Sequence, residues 1–231
     1  MPSKIHKVEE QFRTLNLPEK ETKIAISNLK YWIMHPSFAQ YQEQIDHMIE
    51  NEYFKEIFDC FYQTMPFGTA GRRGKIGVGP NRINRWSIAS IAQGHSQFLA
   101  NKFGSTAKKR GIVIAYDVRQ YIPAQTDDFI PKNMYGISSK DFAEIAASVY
   151  AKNGFKINIF RDIAPTPLLS FGVRRLNAIA GIVISASHNT PEYNGIKVFD
   201  EYGGQMLAPE DQKLADEINN NVVFWKKLNS W

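Results

Sequence analysis

Short apolar runs alternate along the chain with longer segments whose apolar positions recur at helical spacing. The short β-branched run at 181–184 predicts a strand buried on both faces, as in a parallel sheet. Residues 111–116 predict a second buried strand, and residues 155–160 predict a further strand. Residues 84–103 carry a helical apolar stripe, and a Ser138–Asp141 capping box opens a further predicted helix. The order strand, helix, strand, helix, strand is typical of an α/β domain with right-handed crossovers.

The first 62 residues have a different pattern, with apolar positions at helical spacing and two punctuating prolines, Pro18 and Pro36. This pattern predicts helices that pack an apolar stripe on the main domain. We therefore predict a helical extension over residues 1–64 and an α/β domain over 65–220. Residues 221–231 are predicted to be a tail or the start of a linker to a second domain.

One stretch brings reactive groups to a strand end. The apolar run 181–184 breaks into Ser185-Ala186-Ser187-His188-Asn189. Ligands bind at the carboxyl edge of open α/β sheets, so the hydroxyl of Ser187 is a candidate reactive group. Asn194-Gly195 predicts a two-residue hairpin turn into a strand at 196–199. That turn would place Lys197 across from Glu192, and one interpretation of Lys197 is therefore a cross-strand ion pair.

Two other segments carry candidate anion-binding groups. Residues 65–80 contain five glycines with Arg72 and Arg73, yet they match neither a P-loop nor a dinucleotide fingerprint. They predict either an anion cradle or a glycine-rich turn with exposed arginines. Asp117 and Arg119 follow a predicted strand directly, and they either serve a site or pair with each other.

The charge and the composition of the chain favour some classes of function and argue against others. A net charge of +5 over 231 residues suits anionic substrates such as phosphate esters. The longest basic run, 108–110, is predicted to be a solvated loop, so nucleic-acid binding is not expected. Cys60 is the only cysteine, no apolar run is long enough to cross a bilayer, and the N-terminus does not resemble a secretory signal. We therefore expect a soluble, cytoplasmic protein without membrane contact.

The stretch 180–199 resembles the active-site serine loop of the α-D-phosphohexomutases, the phosphoglucomutases and phosphomannomutases. The usual form of that loop is Thr-Ala-Ser-His-Asn-Pro followed by Asn-Gly-x-Lys, and the spacing from Ser187 to Lys197 is kept. Ser185 replaces the usual threonine, and Thr190 takes the usual proline position. A second motif, Phe-Gly-Thr-x-Gly-x-Arg-Gly, is carried by Phe67, Gly68, Thr69, Gly71, Arg73 and Gly74, with Arg72 where an apolar residue is usual. The resemblance is strongest to the phosphoglucomutase/phosphopentomutase subgroup, whose members have a helical N-terminal extension.

The resemblance implies roles for individual residues. It implies catalytic roles for Ser187, Lys197, Arg73 and His188, and phosphate or substrate contacts for Thr69, Gly71, Arg72 and Asn189. It implies supporting roles for Asp117, Arg119 and Thr166. It also implies a three-layer α/β/α domain with a mixed, mostly parallel sheet.

The same resemblance implies the reaction and its cofactors. Ser187 would carry a phosphoryl group between the 1- and 6- (or 5-) positions of a hexose (or pentose) phosphate. The complete enzyme would use a hexose bisphosphate primer and Mg²⁺ bound through the Ser187 phosphate. The match runs from about residue 65 to 206 and covers the first of four domains. The Asp-Gly-Asp-x-Asp-Arg metal loop of the second domain is not in this sequence. Two hypotheses follow: an enzyme part that is inactive alone, or a truncated, non-catalytic module that binds phosphosugars or a second chain supplying the missing domains.

Overall fold

The computed structural model describes residues 2–68, 71–122 and 135–222. Most of the irregular segment 120–137, which we interpret as an insertion relative to the resembled family, lies outside the described residues, as does most of the predicted tail. Within the described part, five strands form one sheet: β1 (Gly71–Lys75), β2 (Ile112–Tyr116), β3 (Ile157–Ile159), β4 (Ala180–Ile184) and β5 (Tyr193–Phe199).

The sheet is mixed, as predicted. Its strand order is β1-β5-β4-β2-β3, with β2 parallel to both β3 and β4. Strand β5 runs antiparallel to β4 and to β1. Strand β1 comes from the glycine-rich segment, which is therefore not only a turn but also supplies an edge strand.

Nine α-helices accompany this sheet in the described residues. They are α1 (Pro2–Thr14), α2 (Glu19–Met34), α3 (Gln42–Glu50), α4 (Phe54–Phe61), α5 (Arg85–Phe103), α6 (Ser105–Arg110), α7 (Ser139–Lys152), α8 (Thr166–Arg175) and α9 (Glu210–Val222), with a 3-10 helix at Pro36–Tyr41. The predicted capping box is confirmed, because the hydroxyl of Ser138 accepts from the N–H of Asp141 at 3.2 Å and the Asp141 carboxylate accepts from the N–H of Ser138. Asn84 caps α5 in the same way.

The two faces of the sheet are covered by different helices. On one face, Ile112, Ile114, Ile182 and Ile184 pack in a core with α5, α7 and α9; we call this the three-helix face. On the other face, Val113, Ala115 and Val183 pack against Leu169 and Val173 of α8; we call this the α8 face. This arrangement confirms the three-layer α/β/α prediction.

A buried histidine joins two helices of the three-helix face. His95 of α5 is fully buried, and its Nδ1 lies 2.8 Å from the hydroxyl of Tyr150 on α7. Burial disfavours the imidazolium and lowers the pKa of His95 to about 3. His95 is thus a core histidine, as its place on the helical stripe predicts.

The N-terminal helices pack on the main domain, as predicted. Their aromatic and aliphatic core includes Val78, from the segment after β1, and Trp86, from the first turn of α5. The buried guanidinium of Arg82 forms ion pairs with Glu56 (2.7 Å) and Asp59 (2.5 Å) of α4. The extension is therefore joined to the α/β domain by apolar and charged contacts. The boundary at residues 64 and 65 stays a prediction.

Two local predictions were wrong. Asn194-Gly195 is not a hairpin turn, since both residues lie inside β5 and pair with Gly74 and Arg73 of β1. Gly195 is needed because a Cβ there would lie 2.4 Å from the carbonyl oxygen of Arg72. Lys197 consequently lies beside Gly71 and Val183 and not across from Glu192.

The basic run at 108–110 is also not a solvated loop. It ends helix α6, and the Arg110 guanidinium binds the Glu201 carboxylate at 2.7 Å and the carbonyl oxygens of Asn177 and Ala178. Because periodicity is hard to read over six residues, the sequence did not reveal this helix. No described helix is long and apolar enough to cross a bilayer.

Candidate active site

Three chain segments meet at the carboxyl edge of the parallel strands and form an open cleft of about 480 Å³. Residues 117–119 follow β2, residues 164–167 end the β3–α8 connection and begin α8, and Ser185 and Ser187 follow β4. Because successive parallel strands end at the same edge, residues far apart in sequence become neighbours here. The sequence-based expectation that Ser187 lies at this edge is confirmed.

The backbone at Ser187 adopts a conformation that is unusual for serine. Its φ is +59°, in the left-handed region, which costs a non-glycine residue about 1–3 kcal/mol. The hydroxyl of Ser185 accepts from the Ser187 N–H at 2.9 Å and so helps to hold this conformation. The side chain of Ser187 is exposed, and its Oγ lies 3.5 Å from Nδ1 of His188, at the outer limit of a hydrogen bond. The loop therefore presents the Ser187 hydroxyl to the open cleft.

The guanidinium of Arg119 holds the backbone of the serine loop. Its Nη2 donates to the carbonyl oxygens of Ser187 (2.8 Å) and Asn189 (2.5 Å). Its Nη1 donates to those of Thr190 (2.8 Å) and Tyr193 (3.3 Å). A charged donor makes stronger hydrogen bonds than a neutral one. One side chain from the end of β2 thus joins four positions of a loop about 70 residues later in the chain.

Arg119 is itself held by a polar network. Its Nε lies 3.2 Å from Asp117 Oδ2, and Asp117 Oδ1 accepts from the Ser139 hydroxyl at 2.6 Å. That hydroxyl accepts from Nδ2 of the buried Asn194 at 3.0 Å. Asp117 and Arg119 therefore pair with each other and also support the serine loop. The sequence did not single out Ser139, and Asn194 was assigned to a turn.

The side chains of Arg72 and Arg73, which are neighbours in β1, point to opposite faces of the sheet. Side chains alternate along a strand, and Arg73 shares its face with Lys197 and Val183, the α8 face on which the cleft lies. Arg73 is exposed and Lys197 half-buried. Arg73 and Lys197, far apart in sequence, are thus brought to one face of adjacent strands near the serine loop.

Arg72 points to the three-helix face instead. It is 2% exposed, and its Nη2 donates to Oδ1 of Asn219 on α9 at 3.1 Å. Its Nε and Nη1 have no partner among the described residues. Burial without a carboxylate partner lowers the pKa of Arg72 to about 10. The predicted phosphate contact of Arg72 does not agree with this placement, because the sheet separates its side chain from the cleft.

The other predicted site residues fall in three groups. Thr166 opens α8 and lines the cleft, and Asn189 lies within the clamped loop. Gly71 is packed so closely on β5 that a Cβ would lie 2.1 Å from the carbonyl oxygen of Ile196. Its N–H donates to the carbonyl oxygen of Gly68. In this structure Gly71 therefore serves the pairing of β1 with β5. Thr69 lies outside the described residues.

The described residues contain no cluster of three or more histidine, cysteine, aspartate or glutamate side chains suited to a metal ion. Asp117, the carboxylate at the cleft, is already paired with Arg119 and Ser139. This part of the chain therefore does not by itself fit a Mg²⁺ site.

The fold and the site together define an α/β/α domain that presents an exposed serine in a clamped loop at the sheet edge, flanked by cations. A family model described as phosphoglucomutase/phosphomannomutase, alpha/beta/alpha domain I, matches residues 64–130 and 136–222. The chain belongs to this family and carries its first domain.

Individual relatives agree with that assignment. A phosphopentomutase of Pongo abelii is 37% identical over 183 residues, which are 79% of this chain and 28% of the relative. A glucose 1,6-bisphosphate synthase of Homo sapiens is 32% identical over 87% of this chain and 30% of the relative. A crystal structure of a phosphomannomutase from Thermus thermophilus superposes with a TM-score of 0.53 at 27% identity, over 68% of this chain and 30% of that one. The chain thus spans less than a third of the length of these relatives.

Proposed function

We propose that this chain is the phosphoserine-bearing domain of a phosphosugar mutase, with Ser187 as the phosphoryl carrier. The placement of Ser187 supports the proposal most directly. Its exposed hydroxyl stands at the end of β4 in a left-handed backbone conformation, in a loop held by four hydrogen bonds from Arg119. Such a hydroxyl has access to a substrate while its backbone stays fixed, which suits a reaction that depends mainly on positioning.

The proposed reaction has two transfers. In the first, a hydroxyl oxygen of a hexose or pentose monophosphate bonds to the phosphorus of phosphoserine 187, the bond from phosphorus to Oγ breaks, and the proton of the sugar hydroxyl ends on Oγ. In the second, Oγ takes the other phosphoryl group from the resulting bisphosphate, and the sugar oxygen recovers a proton. The substrate leaves as the isomeric monophosphate and Ser187 is phosphorylated again, so a sugar bisphosphate serves as the primer.

The cations on the α8 face have roles in this scheme. A phosphoserine carries about −1.5 to −2 charges near neutral pH. Arg73 and Lys197 share the face of the cleft and would balance that charge. Lys197 is further proposed to exchange the proton of the sugar hydroxyl, and His188, whose Nδ1 is 3.5 Å from Ser187 Oγ, to contact the reacting group.

Mg²⁺ is proposed for the complete enzyme. The Ser187 phosphate would provide oxygen ligands, which Mg²⁺ prefers, but the described residues add no carboxylate cluster. The other ligands would have to come from elsewhere. Since the relatives are more than three times longer than the matched region, they contain ample sequence to supply them.

Phosphopeptide mass spectrometry tests the carrier role. The chain is incubated with glucose 1,6-bisphosphate and Mg²⁺, alone and with a second chain that carries the remaining domains of a relative. We expect phosphate on Ser187 in the mixture and none in a Ser187→Ala variant. Phosphate on Ser185, or on another residue that Ser187→Ala leaves unchanged, would refute the assignment.

We further propose that the 231-residue chain alone does not turn over phosphosugars. Excluding water from phosphoryl transfer needs walls around the cleft, and this domain provides one wall. A coupled assay of glucose 1-phosphate conversion to glucose 6-phosphate should show turnover only when the remaining domains are added. Turnover of about 1–1000 per second by the chain alone would contradict this proposal. Phosphosugar binding without turnover, even after the other domains are added, would instead favour the alternative of a non-catalytic binding module.

A further inference from the structure

The side chain of Ser139 lies where three segments of the chain meet. Ser139 begins α7 and is fully buried, so bulk water does not compete for its hydroxyl. That hydroxyl donates to Oδ1 of Asp117, which follows β2, and accepts from Nδ2 of Asn194 in β5. The backbone N–H of Ser139 donates to the carbonyl oxygen of Arg119 at 2.9 Å. One residue of α7 therefore joins the segment after β2 to strand β5.

The contacts of Asn194 fix the direction of the Ser139 hydroxyl proton. Oδ1 of Asn194 accepts from the N–H of Gly195 at 2.8 Å, so the amide nitrogen is the atom that faces Ser139. An amide nitrogen only donates, so the Ser139 oxygen is the acceptor in that contact. The one proton of the hydroxyl is then directed at the Asp117 carboxylate, 2.6 Å away.

The carboxylate of Asp117 connects Ser139 to the guanidinium that holds the serine loop. Asp117 Oδ1 also accepts from the backbone N–H of Arg119 at 3.0 Å, and Oδ2 lies 3.2 Å from Arg119 Nε. The guanidinium donates to four carbonyl oxygens of the loop, including that of Ser187. Because hydrogen bonds to a charged group are stronger than neutral ones, loss of the Ser139 donor should loosen the carboxylate that orients Arg119.

We propose that Ser139 is a positioning residue for Ser187, which acts through Asp117 and Arg119. The inference rests on the proposed function, since it takes Ser187 as the phosphoryl carrier. Asn194 and Gly195 pair with Gly74 and Arg73 of β1, so the same hydrogen bonds hold the serine loop relative to the strand that carries Arg73. Ser139 therefore affects how the Ser187 phosphate is aligned for transfer more than how tightly a sugar bisphosphate binds.

Amide hydrogen exchange of the ligand-free chain tests whether Ser139 orders the loop. The N–H groups of Ser187, Asn189 and Tyr193 are hydrogen-bonded within the loop. In Ser139→Ala we expect them to exchange about tenfold faster, as for loss of one hydrogen bond to a charged group. Ser138→Ala is the matched control, because Ser138 caps the same helix but bonds to Asp141. Its loop exchange should stay within about twofold of the wild-type rate, since local opening of the loop does not involve the cap.

A double variant distinguishes positioning through Arg119 from a general loss of stability. If Ser139 acts through Arg119, adding Ser139→Ala to Arg119→Lys should not speed loop exchange beyond that of Arg119→Lys alone. Additive effects of the two changes would overturn the inference, as would unchanged exchange in Ser139→Ala or equal exchange in Ser138→Ala.

The kinetics of Ser187 phosphorylation by glucose 1,6-bisphosphate, in the mixture with the remaining domains, test the effect on transfer. In Ser139→Ala the rate at saturating bisphosphate should fall about tenfold, while the half-saturating concentration changes less than about twofold. An unchanged rate, or a change in the half-saturating concentration alone, would overturn the positioning role.

A second variant and the wild-type mixture complete the test. Ser139→Cys keeps a side chain of similar size with a weaker donor, and it should change exchange and rate in the same direction as Ser139→Ala. Loss of the fold in both variants, measured by circular dichroism, would overturn the positioning role in favour of a purely structural one. Absence of phosphate on Ser187 in the wild-type mixture would overturn the proposed function, whereas exchange of the ligand-free chain still decides whether Ser139 orders the loop.

Discussion

Replacing Arg72 by methionine should stabilise the protein. Arg72 is 2% exposed and makes one hydrogen bond, to Asn219, while its Nε and Nη1 have no hydrogen-bond partner among the described residues. Burial lowers the pKa of its guanidinium from 12.5 to about 10, which corresponds to about 3 kcal/mol against the charged form. The hydrogen bond to Asn219 offsets about 1 kcal/mol of this cost. An unbranched apolar side chain at this position should therefore raise the free energy of unfolding by about 2 kcal/mol.

Arg82 provides the matched control. It is 4% exposed, but its guanidinium pairs with Glu56 and Asp59. Removing one partner of a buried ion pair costs about 3–5 kcal/mol, and we expect the lower end because the Asp59 side chain is 53% exposed. Arg82→Met should therefore destabilise the protein by about 3 kcal/mol.

Urea unfolding followed by far-UV circular dichroism measures both variants. The midpoint should rise for Arg72→Met and fall for Arg82→Met with unchanged slopes. In thermal unfolding, a gain of about 2 kcal/mol should raise Tm by about 4–8 °C for a chain of this size. A fall of more than about 1 kcal/mol in the free energy of unfolding of Arg72→Met would exceed the usual effect of a surface substitution. Such a fall would refute the argument that burial of the Arg72 charge costs more than its contacts return.

Two further predictions concern the buried histidine and the loop clamp. Because burial lowers the pKa of His95 from 6.5 to about 3, its contribution to stability is present above pH 6.5 and is lost as pH falls toward 3. Urea unfolding at pH 7 and pH 5 should show a loss of about 2 kcal/mol that a His95→Gln variant lacks, and an equal loss in that variant would contradict the assignment. Lysine lacks the planar guanidinium that donates to four carbonyl oxygens of this loop. Arg119→Lys should therefore speed amide exchange in residues 185–193 and slow phosphorylation of Ser187. Arg174→Lys, at an exposed position of α8, is its control, and unchanged exchange in Arg119→Lys would show that the clamp does not order the loop.

Local signals in the sequence determined the order of the elements and the family. The continuous apolar runs predicted β2 and β4, because strands buried on both faces need such residues at every position. The Ser138–Asp141 capping box located the start of α7, because the first turn of a helix needs acceptors for its free N–H groups. The abrupt change from the apolar run at 181–184 to Ser185-Ala186-Ser187 placed the candidate nucleophile at the sheet edge.

Only the tertiary structure decided which side chains meet. Asn194-Gly195 has the composition of a turn, yet close packing against β1 selects glycine at position 195 inside a strand. Ser139 and Asn194 join the Asp117 network across distances in the chain that no local pattern encodes. Arg72 and Arg73 are adjacent in sequence, and strand alternation sends one to the core and the other to the cleft. Periodicity specifies that the two side chains point to opposite faces, but which face is buried depends on the helices packed there by distant parts of the chain.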